Sequence, residues 1–221
     1  KCNMLEIACF NKEFAVIAAK AGADRIEFCA DFHLGGTTPD LEDFKNLKKE
    51  IDVPIYVMIR PRGGNFFYSD EGFSLMKHQL QNFYNAGADG FVFGILDQND
   101  EVNEEQCKEL IQFAKGKPCT FHRAFDRTKN LEKSLEMLIN CGFSTVLTSG
   151  GKSNVEEGKE MLQKLVEISA GRIDILCGGG LRSSNLVEIK NFTHAKSFHS
   201  SAILEGEVAD FHEITRLKSC F

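Results

Sequence analysis

The stretch AGADRIEF, residues 21–28, returns as AGADGFVF at 86–93 and more loosely as CGFSTVLT at 141–148. Each copy sets a glycine where a helix would stop in the left-handed conformation, then runs at once into a short apolar strand. Working outward from these copies, strands are predicted near 4–9, 24–29, 55–60, 90–94, 119–123, 144–148, 172–177 and 196–200. Amphipathic segments lie between them, near 12–21, 40–50, 71–86, 103–115, 130–141, 154–170 and 183–191, with a last one near 208–218. Helix starts are marked by side chains that can accept from free N–H groups: Asp40, Ser69 or Asp70, Asn130, Ser153 or Asn154, and Ser183 or Ser184.

Eight strands alternating with eight helices in 221 residues give an α/β fold, a single compact (β/α)8 TIM-type barrel with parallel strands spanning residues 1–221. The rival is an open doubly wound sheet, which wants a glycine-rich dinucleotide turn after its first strand. EIACFNKE, residues 6–13, contains none. No nucleotide cofactor is expected, since the Walker pattern G-x-x-x-x-G-K-S/T is also missing.

Composition narrows the partners. With 26 basic against 32 acidic residues the net charge is −6, a poor footprint for nucleic acid. No run approaches the ~18 apolar residues of a membrane span, so no membrane partner is expected. The first apolar run begins by Met4, which leaves no room for a secretion signal. The eight cysteines are Cys2, Cys9, Cys29, Cys107, Cys119, Cys141, Cys177 and Cys220. None forms a C-x-x-C pair and most sit in apolar runs, which reads as reduced thiols and a cytoplasmic location.

Strand alternation then assigns faces. With the apolar side of each run turned to the helices, Met4, Glu6, Ala8, Arg25, Glu27, Cys29, Tyr56, Met58, Arg60, Thr120 and His122 point into the barrel. Thr148 joins them if Leu147 faces out. Glu6, Glu27, Arg60 and His122 are the candidate catalytic groups. A carboxylate beside an arginine stays ionised, and a histidine beside a carboxylate is raised toward acid–base use. The plainer reading is a buried Glu27–Arg60 ion pair and a core histidine at 122.

Three strand ends carry glycines. IYVMIRPRGGNFFYSD, residues 55–70, holds Arg60 and Arg62 on the tip of a buried strand, with Gly63 and Gly64 behind them. LTSGGKSN, 147–154, and LCGGGLRSSN, 176–185, put bare N–H groups and serines ahead of helix starts. Arg62, Thr148, Ser149, Gly150, Gly178, Gly179 and Gly180 are therefore candidates to hold a small anionic metabolite, with Lys152 and Arg182 adding charge. Tight strand-to-helix turns are the alternative for the glycines.

The run of motifs RIEFCADFHLGGTTP, VMIRPRGGNFFYSD, GADGFVFGILD, TFHRAFDRTKNLEKSLEMLI, GFSTVLTSGG, GRIDILCGGGLRSSN and FHSSAI resembles the CutC family of copper-homeostasis proteins over nearly the whole chain. The resemblance implies a TIM barrel, a cytoplasmic location, self-association as a homo-oligomer, and a part in copper handling. Cys29, in IEFC, matches the family cysteine at the end of the second strand. The family's other candidate cysteine meets Ala8 here, and Cys9, one place later, points to the opposite face. Cu(I) prefers thiolate and thioether, so Cys29 and Met58 are the candidate metal ligands, with His122 as a third.

Two functional classes follow. One is a copper(I)-binding protein. The other is a barrel isomerase or lyase that moves protons on an anionic or phosphorylated metabolite. A Schiff-base aldolase fits poorly, because Lys152 is the only lysine near the mouth. A third class, a scaffold for partners, rests on Phe66 and Phe67, which are exposed unless they cover the mouth or meet a second subunit.

Overall fold

The computed structural model describes residues 3–206 and 208–221 of the chain; Cys2 lies outside the described residues. It opens with strand β1 (Met4–Cys9), helix α1 (Lys12–Lys20), β2 (Arg25–Phe28) and α2 (Leu41–Glu50). Then come β3 (Ile55–Met58), α3 (Asp70–Asn85), β4 (Gly90–Phe93) and α4 (Glu104–Phe113). The second half repeats the unit with β5 (Cys119–Phe121), α5 (Leu131–Cys141), β6 (Thr145–Thr148) and α6 (Lys159–Ser169). It ends with β7 (Asp174–Gly178), α7 (Leu186–Thr193), β8 (Ser197–Ser200) and α8 (Phe211–Ser219).

The eight strands pair in chain order as a closed barrel, with β8 returning to β1. Every pair is parallel. Closure leaves no sheet edge to be guarded. The repeated glycines act as the pattern requires: Gly22, Gly87 and Gly142 stand at φ +100°, +91° and +97°, a backbone that an L side chain strains to adopt. Each turns a helix directly into the next strand. Asp40, Ser69 and Asn130 cap α2, α3 and α5 through their side-chain oxygens, as expected.

Two starts fall later than the pattern placed them. Asn154 accepts from the N–H of Glu157 in a turn, and α6 begins only after Gly158. Ser183 bonds instead to Glu213 of α8, so α7 begins after Asn185. In both places the side-chain oxygen serves a loop that precedes the helix. Two 3-10 turns also escape the period-based reading, Phe32–Leu34 after β2 and Arg123–Arg127 after β5.

Between barrel and helices lies one apolar layer that includes Leu5, Ile7, Ile26, Phe28, Val57, Phe91, Phe121, Val146 and Phe198. A smaller apolar group, Cys29, Met58 and Val92 with Phe10 and Tyr56 against it, sits apart from that layer. In β6 the face assignment is corrected. Val146 belongs to the outer layer, while Leu147 lines the cavity at the barrel mouth. TVLT offers two adjacent apolar residues, so its alternation can be read in either register. Among the described residues no helix is long and apolar enough to cross a membrane.

Candidate functional site at the barrel mouth

Register builds the centre of the site. Glu6 of β1 lies opposite Arg25 on β2 and opposite His199 on β8, so three ionisable side chains share one level of the barrel. Arg25 donates from Nε to Oε2 of Glu6 and stacks its guanidinium 4.3 Å above the Tyr56 ring. Nδ1 of His199 is 2.7 Å from Oε1 of Glu6, and its Nε2 is 3.8 Å from Oε2 of Glu27.

These neighbours split the two carboxyls. Burial alone would raise Glu6, but Arg25 and His199 outweigh it and hold the group down at about 2. Glu27 is pushed up to about 7 by burial, with the Glu6 charge adding to the rise and His199 and Arg25 opposing it. Burial lowers His199, yet the charges of Glu27 and Glu6 leave it raised overall. Near neutrality Glu6 is a fixed anion, and Glu27 can gain or lose a proton.

Glu6, Glu27 and His199 also bring one ligand atom each within 4.8 Å of one another, the spacing of a metal site. Both oxygens of Glu6 are committed, one of them to a guanidinium that a cation would have to face. The arrangement suits proton exchange better than cation binding.

Above this level opens a cavity of about 250 Å³, lined by Ala8, Glu27, Met58, Arg60, His122 and His199 from the strand side. Gly179, Gly180, Arg182, Arg123, Ser200 and Ser201 close the far side, and Phe10, Phe32 and Phe66 form apolar walls. Phe10 and Phe32 meet edge to face at 5.0 Å. Of the two loop phenylalanines, Phe66 packs 4.8 Å from the His122 ring and lines the cavity, while Phe67 is exposed.

Several expected relationships are corrected. Glu27 and Arg60 do not pair: Arg60 donates to the carbonyls of Leu34, Gly36 and Gly64, at 2.7, 2.8 and 3.2 Å. It orders the loops after β2 and β3, while Glu27 has His199 Nε2 at 3.8 Å. His122 is lowered, to about 3, by burial and then by the positive charge of Arg60, where a carboxylate neighbour had been expected to raise it. The histidine beside carboxylates is His199, which the sequence reading passed over. Alternation around Phe198 would have turned it inward.

The expected anion loops divide as well. Arg62 is exposed and bonds its own loop, at Gly63, Asn65 and Phe67. Thr148 and Ser149 are occupied by a carboxylate from within the chain, Asp126. Thr148 donates its hydroxyl to Asp126, which also accepts the N–H groups of Ser149 at 3.1 Å and Gly151 at 2.9 Å. The N–H of Gly150 turns to Thr148 Oγ1. This loop therefore holds Asp126 where an external anion had been expected. Lys152, beside it, is exposed. Gly178 sits within β7, where a Cβ would lie 2.6 Å from Leu147 and 3.0 Å from His199, so it makes room for its neighbours. Gly179 and Gly180, at φ +112° and +69°, do line the cavity.

The candidate soft ligands Cys29 and Met58 share one small cluster. Cys9 lies in the outer layer, and its link to Cys29 is the Cys29 thiol donating to the Cys9 carbonyl at 3.5 Å. A two-cysteine site is not formed by this pair. His122 packs on Phe66 and lines the same cavity as Met58.

Fold and site together define a class, a TIM barrel whose strand ends gather buried acid, histidine and arginine groups around one small cavity. The chain belongs to the CutC family, whose model matches residues 3–204. It is 41% identical over 199 residues to the human copper homeostasis protein cutC homolog, covering 90% of this chain and 73% of that one. It is 39% identical to a CutC family protein of Treponema denticola, over 92% of this chain and 82% of that one. A crystal structure of CutC from Streptococcus agalactiae superimposes with TM-score 0.86 at 31% identity, covering 90% of this chain and 98% of that chain.

Proposed function

We propose that this chain serves copper homeostasis by holding Cu(I) as cargo between the Cys29 thiol and the Met58 thioether, beside the barrel mouth. The observation that carries this reading is the notch at Gly36. A Cβ built there would sit 3.5 Å from Cys29 Sγ and 3.6 Å from the Met58 methyl, so the thiol and the end of the thioether side chain border the same small space. Cu(I) favours such donors. Relatives named copper homeostasis proteins support the same reading.

Burial, and after it the charge of Glu27, raises the Cys29 thiol well above its ordinary value. Binding would therefore displace a proton, and affinity would fall in acid. The buried thiols Cys9, Cys107, Cys119, Cys141 and Cys177 are structural in this proposal. The proposal also places the protein in the cytoplasm, where these thiols stay reduced. It has the protein self-associate, which a solution mass tests. The deciding experiment is an anaerobic Cu(I) titration of the reduced protein against a competing chelator, beside Cys29→Ser. One-to-one binding lost in the variant is expected; binding indifferent to Cys29 overturns the reading.

A further inference from the structure

The cavity above Glu27 has features that copper binding does not use. Its wall carries positive charge with little to neutralise it. Arg60 and Arg182 bond to carbonyls, Arg182 reaching those of Leu181 at 2.7 Å and Ile203 at 2.9 Å, and among the described residues neither forms an ion pair. Arg123 shares one carboxylate, Asp126, at 2.8 Å. A pocket built this way favours an anion.

Three buried polar atoms on residues that line that cavity have no partner, Nε of Arg60, Oε1 of Glu27 and Nε2 of His122, and the last two matter here. Glu27 is 4% exposed and His122 5% exposed, so leaving these atoms unpaired is costly unless a ligand meets them. Their chemistry is complementary. Nδ1 of His122 accepts the N–H of Ala124 at 3.2 Å, which puts the ring proton on Nε2 and makes that atom a donor. Burial and Arg60 keep this imidazole neutral. Glu27 presents its unpaired Oε1 to the cavity, while Oε2 stands 3.8 Å from His199 Nε2, so one carboxylate oxygen is open to a ligand atom.

We propose that the mouth binds a small anionic carbonyl compound and exchanges the proton on the carbon next to its carbonyl. The anionic group lies against Arg182 and the backbone of Gly179 and Gly180. Glu27 Oε1 removes the proton; the C–H pair becomes a carbon–carbon double bond, and the carbonyl pair moves onto its oxygen. That oxygen accepts the hydrogen bond from His122 Nε2–H, a neutral donor aimed at developing negative charge. Glu27 then returns the proton, to the same carbon or, in a hydroxy-carbonyl compound, to the former carbonyl carbon after the hydroxyl and enol protons exchange. No oxidant, reductant or second substrate enters. Glu6, fixed as an anion, holds His199 against Glu27 and acts as a positioning residue. Phe10, Phe32 and Phe66 limit water at the base.

The test is proton NMR of two probes in deuterium oxide with the intact protein, dihydroxyacetone phosphate for a phosphate group and pyruvate for a carboxylate. Loss of the signal next to the carbonyl should accelerate for one probe, which names the anionic group. The accelerated rate should fall by about 100-fold or more in Glu27→Gln, the range for losing a general base. In Arg182→Gln the expected effect is a raised KM with kcat little changed, a split that a folding defect does not produce. Acceleration with neither probe, or acceleration undiminished in a folded Glu27→Gln variant, overturns the proposal. The exchange assay is run without copper and the copper titration without either probe, so failure of this proposal and failure of the copper reading are distinguishable.

Discussion

His199 Nδ1 stands 2.7 Å from Glu6 Oε1, a contact between residues 193 positions apart that ties the last strand of the barrel to the first. Closure of the ring thus assembles the charged centre, since neither β1 nor β8 alone supplies both partners. The contact also fixes the roles of the two buried acids. Glu6 is stabilised as an anion on both oxygens, and His199 presents its other nitrogen to Glu27.

The first consequence is a stability profile that falls with rising pH. The Glu27 carboxyl sits at about 7 in the fold against an ordinary 4.5, so between these values the folded chain keeps a proton that the unfolded chain has released. Stability is therefore lost as pH rises through that window, by roughly 3 kcal/mol for a shift of this size. His199, raised by the same carboxylate, loses its contribution in the same direction as pH climbs through its folded value. Glu27→Gln should flatten the profile between about pH 4.5 and 7 while leaving the acid limb, set in part by Glu6, in place. Urea denaturation at stepped pH measures it. Parallel curves for the variant and the parent would contradict the assignment.

A second prediction concerns Asp126, which ties the turn after β5 to the loop after β6. It accepts two backbone N–H groups and the Nε of Arg123. Asp126→Ala would strand the N–H of buried Ser149, while Gly151 and Arg123 can turn to water, and should cost about 1–3 kcal/mol. Asp126→Asn keeps one accepting oxygen and should cost less. The readout is a lower urea midpoint at an unchanged slope, since the surface exposed on unfolding is the same. A loss below the error of the measurement would mean that the loop stands without this anchor.

How much of this was written in the sequence depends on the range of the interaction. The AGAD repeats carry a local rule, a helix-stopping glycine followed by a strand, and the barrel follows from repetition of that rule. Inward Glu6, Glu27 and Arg60 follow from alternation with period two. What alternation cannot say is which inward groups meet. Glu27 and Arg60 look like a pair because both are inward and opposite in charge, yet the loop carbonyls of Leu34, Gly36 and Gly64 claim the guanidinium first. Asp126 is invisible for another reason: it lies in a 3-10 turn, whose residues follow neither strand nor helix periodicity. The TSGG loop therefore read as an open anion cup, when its anion comes from 22 to 25 residues upstream.

Gly158 tests close backbone approach without help from an unusual φ. It sits at φ −95°, where any residue is comfortable, but a Cβ there would lie 1.7 Å from the Ser149 carbonyl oxygen. Backbone cannot swing aside as a side chain can, so Gly158→Ala should cost about 3 kcal/mol or more. Gly87→Ala is the control. It has nothing within 4 Å but a φ of +91°, and should cost only the left-handed penalty of about 1–2 kcal/mol. If the two variants lose the same stability, the contact at Ser149 is not what requires glycine.

The two site histidines should titrate in opposite directions. His122, lowered to about 3, stays neutral across the range in which the fold is studied. His199 takes up its proton above the ordinary histidine value of 6.5. Nitrogen NMR of the imidazoles from acid to alkaline pH checks both. A His122 that titrates near 6.5 would remove the neutral donor on which the proton-exchange reading depends.

Gly94 offers a way to move that donor without altering it. A Cβ on Gly94 would fall 2.6 Å from Cε1 and Nδ1 of His122, whose ring also packs against Phe66 with centroids 4.8 Å apart. Gly94→Ala must therefore tilt the imidazole and weaken its bond to the Ala124 N–H. The expected stability loss is about 1–3 kcal/mol, from crowding alone. The expected loss of probe exchange is larger in proportion, because a donor displaced by an ångström no longer meets the oxygen on which charge develops. The imidazole nitrogen shifts report the tilt directly. Shifts that stay at the parent values while exchange disappears would place the defect elsewhere, and a tilt with exchange preserved would show that His122 is a wall of the cavity and not its electrophile.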